Sequence, residues 1–290
     1  MPVRHTNYHV QKIARLLERA ESSGQHPWRI FEDWTTLVEA FLDTMPRLLL
    51  AQWQGQQPDI PAEIVEREKQ VTAKYRDYEL ACFREATDVL VDSTDFYADT
   101  IGEVFMSYGC PSGWHGQFFT PFHVAQAMAD MVGVQEQDVH ERLKTAISKS
   151  VAAQAQLLAG LCLPPDLTRD HMIANVIPAA MEHYEPITTY DPACGSGVMF
   201  VAAASVLPTW MTQMGLVAFY GQDIDPLCAR MARINVMLYG LDGRYAPLLV
   251  VESAARLEQT PLHAEPVLAH SNGTAPAGAY EAIKHELQNS

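Results

Sequence analysis

Residues 187–207 decide the fold and read Ile-Thr-Thr-Tyr-Asp-Pro-Ala-Cys-Gly-Ser-Gly-Val-Met-Phe-Val-Ala-Ala-Ala-Ser-Val-Leu. The first four form a short apolar run typical of a strand, and residues 198–207 have the pattern of a helix. Glycines in the turn between them let the backbone bend sharply and approach a ligand beside a helix N-terminus. No Lys-Ser/Thr pair follows, and Phe200 stands where a dinucleotide fingerprint has its third glycine. The turn therefore predicts a site for an adenosine ligand without a phosphate chain.

Strands and helices continue to alternate downstream of this turn. A strand is predicted at 216–220, a helix at 226–239 and a third strand at 247–251. This alternation favours an open parallel sheet, so the predicted fold class is α/β with a Rossmann-like domain. Asp223 follows the second strand, where a carboxylate accepts hydrogen bonds from two ribose hydroxyls. Asp225 precedes a proline and is predicted to be the helix N-cap.

The chain upstream of the turn is predicted to be helical. Apolar residues recur at helical spacing through residues 7–106, with prolines and glycines between the helices. We therefore divide the chain into a helical N-terminal domain at 1–110 and an α/β domain at 111–290. Two further helical patterns at about 135–184 are predicted to form an insertion in the second domain.

Composition and charge exclude several classes of function. The 290-residue chain is 48% hydrophobic with a net charge of −15, and both halves are acidic. Proteins that bind DNA unaided usually carry a basic surface, so any DNA function is predicted to need either a local basic cluster that the totals hide or a partner that supplies the positive charge. Five scattered cysteines and eleven histidines form no ligand pattern, which predicts reduced thiols and no metal site. Without a signal peptide or an apolar run of about eighteen residues, the chain is predicted to be cytoplasmic, with no membrane partner.

Four segments together resemble one known family. They are Gly116-Gln-Phe-Phe-Thr-Pro121, Asp191-Pro-Ala-Cys-Gly-Ser-Gly197, Gly221-Gln-Asp-Ile-Asp-Pro226 and Ala232-Arg-Ile-Asn235. They look like the S-adenosylmethionine-binding motifs of N6-adenine DNA methyltransferases, and most of all like those of type I restriction-modification modification subunits. Asp99-Thr-Ile-Gly-Glu-Val-Phe105 also resembles a helix of that subgroup. The resemblance implies the cofactor S-adenosyl-L-methionine and adenine-specific methylation of DNA.

The resemblance also implies roles for particular residues. Thr120 and Pro121 would position the methionine end of the cofactor, and the 191–197 loop would line its amino and carboxylate groups. Asp223 would take the ribose hydroxyls and Ile224 would pack on the adenine. Glu252, after the third predicted strand, would lie near the adenine amine, or else be a solvated strand end. The implied cofactor-binding set is Thr120, Pro121, Asp191, Pro192, Ala193, Gly195, Ser196, Gly197, Asp223, Ile224 and Glu252.

The sequence departs from the family where catalysis takes place. The family uses Asn/Asp-Pro-Pro-Tyr/Phe to accept the adenine amine hydrogens and to stack on the flipped base. The corresponding stretch here is an eroded His270-Ser271-Asn272-Gly273, which has no aromatic face. The catalytic residues therefore stay unassigned, and we expect a C-terminally truncated domain that catalyses poorly by itself.

Two alternatives to an active DNA methyltransferase stay open. The chain is a catalytically degenerate subunit or decoy that docks on a restriction-modification or DNA-processing partner, or it methylates a substrate other than DNA. In the first case a specificity or catalytic subunit supplies the contact with DNA, and the acidic surface suits a protein that meets other proteins. Co-purification with a basic partner would favour the first alternative, and a non-DNA methyl acceptor would favour the second.

Overall fold

The computed structural model describes residues 3–108 and 119–259. In these ranges the chain is mostly helical, as predicted for its N-terminal part, and contains a small sheet. The elements are α1 (Val3–Ala20), α2 (Pro27–Gln54), α3 (Ala62–Thr72), α4 (Asp77–Asp92), α5 (Thr100–Ser107), α6 (Phe122–Val132), α7 (Glu136–Lys149), α8 (Val151–Gly160), α9 (Pro165–His171), α10 (Ile177–Ala180), β1 (Ile187–Asp191), α11 (Val198–Ser205), α12 (Thr209–Gln213), β2 (Val217–Gly221), α13 (Pro226–Leu238) and α14 (Ala246–Gln259). A π-helical turn, Met172–Val176, joins α9 to α10.

Helices α1 to α5 pack around an apolar core. α1 buries Ile13 and Leu17 on the face that it turns to α4 and α5. α2 begins at Pro27, whose missing N–H suits a first helical turn, and it ends at Gly55 in a left-handed conformation. The helices are therefore bounded by the signals that their own sequence supplies.

The same core continues into the α/β region. Its buried residues come from α1, α2, α4 and α5 and also from α11 and α13. Buried carboxylates of α2 pair with arginines of α13, since Glu39 lies 3.2 Å from Arg233 and 3.5 Å from Arg230. The predicted domain boundary at residue 110 falls outside the described residues and stays a prediction.

A second core organises the helices between α7 and β2. Its buried side chains include Val139, Ile177, Met211 and Val217. Ser150 ends α7 and caps α8, because its Oγ accepts the N–H of residue 153 at 3.1 Å. The helices predicted between 135 and 184 are present, with a break at this serine.

The sheet has two parallel strands in the described part of the chain. Ile187 pairs with Val217 and Asp191 with Gly221, and α11 and α12 connect the two strands. This order of strand, helix, strand and helix is consistent with an α/β methyltransferase.

The third predicted strand, 247–251, is wrong because these residues belong to α14. Pro247 would remove a hydrogen bond from a central strand, but it suits the first turn of a helix. Leu249 and Ser253, one helical turn apart, are both buried. The described residues therefore do not establish the Rossmann-like part of the predicted fold.

Candidate functional site

The loops that follow β1 and β2 form the candidate site. The N–H of Gln222 donates to the carbonyl of Asp191 (3.1 Å), and the N–H of Cys194 donates to the carbonyl of Gln222 (3.0 Å). The Asp191 carboxylate accepts the N–H of Ala193 (3.0 Å), which closes a tight turn after β1. The two loops therefore lie side by side beyond the carboxyl ends of parallel strands, where α/β proteins bind ligands.

Asp223 joins the two loops. One of its carboxylate oxygens accepts the N–H of Gly195 (2.9 Å), and the other accepts the N–H of Asp225 (3.0 Å). The side chain stays partly exposed, and each oxygen retains a second lone pair. Asp225 in turn accepts the N–H of Leu227 (2.8 Å) and begins α13, so the predicted N-cap is confirmed.

The glycine loop touches α13 at backbone level. Gly197 has a φ of +83°, a conformation that residues with side chains rarely adopt. A Cβ placed on it would lie 2.9 Å from the Cα of Ala232 and 3.1 Å from its Cβ. This close approach explains both the final glycine of the loop and the small residue at 232.

Ile224 stands uncovered next to Asp223. Its relative exposure of 98% is the highest among the large apolar side chains that the structure describes. Tyr190 and Tyr220, paired across the strands, are also exposed. A flat ring that covered Ile224 would remove apolar surface from water on both partners, which favours binding.

Ser196 belongs to a buried hydrogen-bond network. Its hydroxyl is fully buried and donates a hydrogen bond to the carboxylate of Asp99. The other oxygen of Asp99 accepts from Asn235 Nδ2 (2.8 Å) and from the N–H of Gly102 (3.0 Å). Burial raises the pKa of Asp99, and its three hydrogen-bond donors oppose that rise. The Ser196 side chain thus anchors the loop internally.

Sequence reasoning assigned no role to Asp99 or Asn235, although both lie in segments that carry the family resemblance. A signal was present in the spacing Asp-x-x-Gly, because Asp99 is the N-cap of α5 and its carboxylate fills the space that a Gly102 side chain would need. A second signal is the three-residue interval between Ala232 and Asn235. That interval places both on the face of α13 that contacts the glycine loop.

Thr120 and Pro121 lie apart from the Asp223 side of the site. They line a cavity of about 970 Å³ between the segment 95–107 and α6, and no residue of 191–197 or 223–224 lines it. Phe119 forms the link, since a Cβ on Gly195 would lie 3.2 Å from its ring. The structure thus brings Thr120 and Pro121 close to the loop through their neighbour, but not into one pocket with Asp223.

Glu252 is not at the end of a strand. It lies within α14 and pairs with Arg256 (3.6 Å), which also pairs with Asp170 of α9 (3.1 Å). The strand-end position predicted for Glu252 is therefore wrong. The motif at 270–273, with His270, Ser271, Asn272 and Gly273, lies outside the described residues and stays a prediction.

The site is acidic and holds no reactive thiol. The segments 191–197 and 221–225 contain three aspartates and neither lysine nor arginine. Burial raises the pKa of Cys194 to about 11 and that of Cys228 to about 12, and the nearby aspartates add to both rises. Both thiols are therefore protonated at neutral pH.

Within the described ranges, 3–108 and 119–259, no group of three metal-ligating side chains is placed to hold an ion. The chemistry suits a ligand with cationic groups and hydroxyls better than a polyphosphate.

Comparison with known proteins decides the family resemblance. The sequence model of the family described as N-6 DNA Methylase matches residues 164–260, which include both strands, the glycine loop and α13. The resemblance to N6-adenine DNA methyltransferases is confirmed. The chain is similar to the Type I restriction enzyme MjaIX methylase subunit of Methanocaldococcus jannaschii, with 39% identity over 54 residues. It is also similar to the Type I restriction enzyme HindI methylase subunit of Haemophilus influenzae, with 30% identity over 76 residues.

The N6 DNA methylase resemblance is local. The two matched stretches cover 19% and 24% of this chain, and 10% and 17% of the respective relatives. No solved structure matches the chain. Among the described helices none combines the length and hydrophobicity needed to cross a membrane.

Proposed function

We propose that this chain binds S-adenosylmethionine in the loops after β1 and β2. The observation that carries the proposal is the bridge from the Asp223 carboxylate to the N–H of Gly195 at 2.9 Å. It puts a carboxylate with spare lone pairs beside a glycine loop at the end of a parallel strand, a position suited to ribose hydroxyls. The match to N-6 DNA methylases over 164–260 supports the same cofactor.

The other groups around the loops fit the remaining parts of that cofactor. The carboxylate of Asp191 suits the ammonium and sulfonium charges, and the N-terminus of α11 suits the cofactor's own carboxylate. The exposed side chain of Ile224 offers an apolar face to the adenine. Bound there, the cofactor would supply an electrophilic methyl group, and the chain's own residues would bind and orient it within a Rossmann-like fold.

We further propose that the methyl acceptor is the N6 of adenine in DNA and that the chain acts in a complex. A net charge of −15 opposes unaided binding to the phosphate backbone. Val151 and Leu158 of α8 are exposed, and so is Leu161, which follows this helix. The stretch from 151 to 165 contains no charged residue. An exposed apolar surface of this kind suits a protein partner. We therefore expect the chain alone to methylate DNA poorly.

Calorimetric titration of the purified chain with S-adenosylmethionine tests the cofactor proposal. We expect binding on the order of micromolar, and at least about tenfold weaker binding by Asp223→Ala, since the loss of one charged hydrogen-bond partner costs about 1.4 kcal/mol or more. Asp225→Ala is the matched control, because it removes a carboxylate and a helix cap from the same loop. It should bind within about threefold of the wild type.

A second pair of variants separates the adenine contact from general surface effects. Ile224→Ser should weaken binding, whereas Val151→Ser, which alters another highly exposed apolar side chain, on α8, should not. A wild-type chain that binds no S-adenosylmethionine would contradict the proposal. Equal losses in Asp223→Ala and Asp225→Ala would contradict the role given to Asp223.

Transfer of a labelled methyl group to duplex DNA tests the acceptor. We expect little transfer by the chain alone and more after addition of a polypeptide that co-purifies with it. A charge placed on α8, as in Leu158→Lys, should prevent that polypeptide from co-purifying with the chain and should leave the affinity for S-adenosylmethionine unchanged. Label that appears on protein or small molecules and never on DNA would instead support a non-DNA substrate.

A further inference from the structure

We infer that Asp99 is a positioning residue for the glycine loop, and that it makes cofactor binding depend on the docking of α5 and the segment before it. The inference rests on the proposed function, because it concerns the same loop. Asp99 lies far from the loop in sequence, in the N-terminal helical part, yet the residue is only 3% exposed and its side chain contacts the loop directly.

The carboxylate of Asp99 joins three parts of the fold. It accepts the N–H of Gly102 at the start of α5, the hydroxyl of Ser196 in the loop and the amide Nδ2 of Asn235 in α13. Asn235 also donates to the carbonyl of Ser196 (2.8 Å), so the side chain and the backbone of this serine are both held. A buried hydrogen-bond network of this kind favours one loop conformation over its alternatives.

The position of Asp99 is itself fixed from α13. One turn after Asn235, the Tyr239 hydroxyl accepts the N–H of Ala98 (3.1 Å) and donates to its carbonyl (2.8 Å). The ring of Tyr97 stacks on the ring of Tyr239, with 5.0 Å between centroids. The segment before α5 is therefore clamped on the same helix that contacts the glycine loop.

The position of Ser196 transmits this arrangement to the proposed cofactor contacts. Ser196 lies between Gly195, whose N–H reaches Asp223, and Gly197, whose backbone packs on Ala232. Without the Asp99 side chain the buried hydroxyl of Ser196 loses its hydrogen-bond partner, and the loop must move to solvate it. A loop that spends about one tenth of its time in the binding conformation binds about tenfold more weakly.

The test uses the full chain, with S-adenosylmethionine titrated into Asp99→Ala and Asp99→Asn at a temperature where each is folded. Asp99→Ala should bind about tenfold more weakly than the wild type. Asp99→Asn keeps the oxygen that accepts from Asn235 and places an amide where it can donate to Ser196 Oγ, so it should restore binding to within about threefold.

Ser150→Ala is the matched control for the loss of a buried helix cap. Ser150 caps α8 as Asp99 caps α5, but its side-chain hydrogen bonds join residues 153 and 179, which pack in the second core, and none reaches the glycine loop. The control should lose stability as Asp99→Ala does and keep the wild-type affinity. Wild-type affinity in Asp99→Ala, or an equal loss of affinity in Ser150→Ala, would overturn the inference.

Hydrogen exchange of the cofactor-free protein separates this inference from the proposed function. The amides of residues 195–197 should exchange faster in Asp99→Ala than in the wild type, Asp99→Asn or Ser150→Ala. If the wild type binds no S-adenosylmethionine, the proposed function fails and the exchange result alone decides the positioning role. Unchanged exchange at the loop in Asp99→Ala would overturn that role.

Discussion

Gly197→Ala tests whether the glycine loop is shaped by its contact with α13. The substitution places a Cβ at a φ of +83°, and this backbone strain costs about 1–2 kcal/mol. Alanine also lowers the conformational entropy of the unfolded chain, which offsets about 0.4–1 kcal/mol of that cost. The same Cβ would lie 2.9 Å from the Cα of Ala232, and overpacking of a closed contact adds about 1–3 kcal/mol. We therefore expect the free energy of unfolding to fall by about 2–4 kcal/mol, measured by urea denaturation.

Gly24→Ala is the matched control for this substitution. Gly24 has nearly the same backbone conformation, with φ at +80°, but an added Cβ meets nothing within 4 Å. Only the backbone strain applies there, so the loss should be about 1 kcal/mol. If the two variants lose the same stability, the contact with Ala232 does not constrain the loop and the reasoning is refuted.

Three further outcomes are expected. Brief alkylation at about pH 8 should label the exposed Cys162 well before Cys194, because the Cys194 thiol is buried and its pKa is raised to about 11. Early labelling of Cys194 in the folded chain would contradict its burial. Glu39→Ala removes a carboxylate that is 7% exposed and pairs with three partly exposed arginines. Urea denaturation should show that the free energy of unfolding falls by about 2–3 kcal/mol. The control Glu136→Ala removes an exposed carboxylate and should lower it by less than about 0.5 kcal/mol. Burial raises the pKa of Asp99 above its ordinary 3.8, so the unfolded chain releases this proton first and the wild type loses stability as pH rises between the two pKa values. The unfolding free energy of Asp99→Asn minus that of the wild type should therefore grow over that range, and a constant difference would contradict the raised pKa.

Local signals predicted most of the elements around the site. The strands at 187–191 and 217–221 and the helix begun by Asp225 follow from short-range patterns, because caps, prolines and apolar spacing act within a few residues. The prediction of a strand at 247–251 is wrong because a short apolar run suits a strand and a buried helical face equally well. Its packing on the second core, through Leu249, decided for the helix.

What the sequence determined by itself is the chemistry of the two loops: glycines that turn after β1, carboxylates at the strand ends and the apolar Ile224 between two aspartates. These properties are local, since each depends on a residue type and its immediate neighbours. Only the tertiary structure decided that Asp99 holds Ser196 and Asn235, and that the N-terminal helices share a core with α13. Such contacts join residues far apart in the chain, and their partners are selected by packing, which no local spacing encodes.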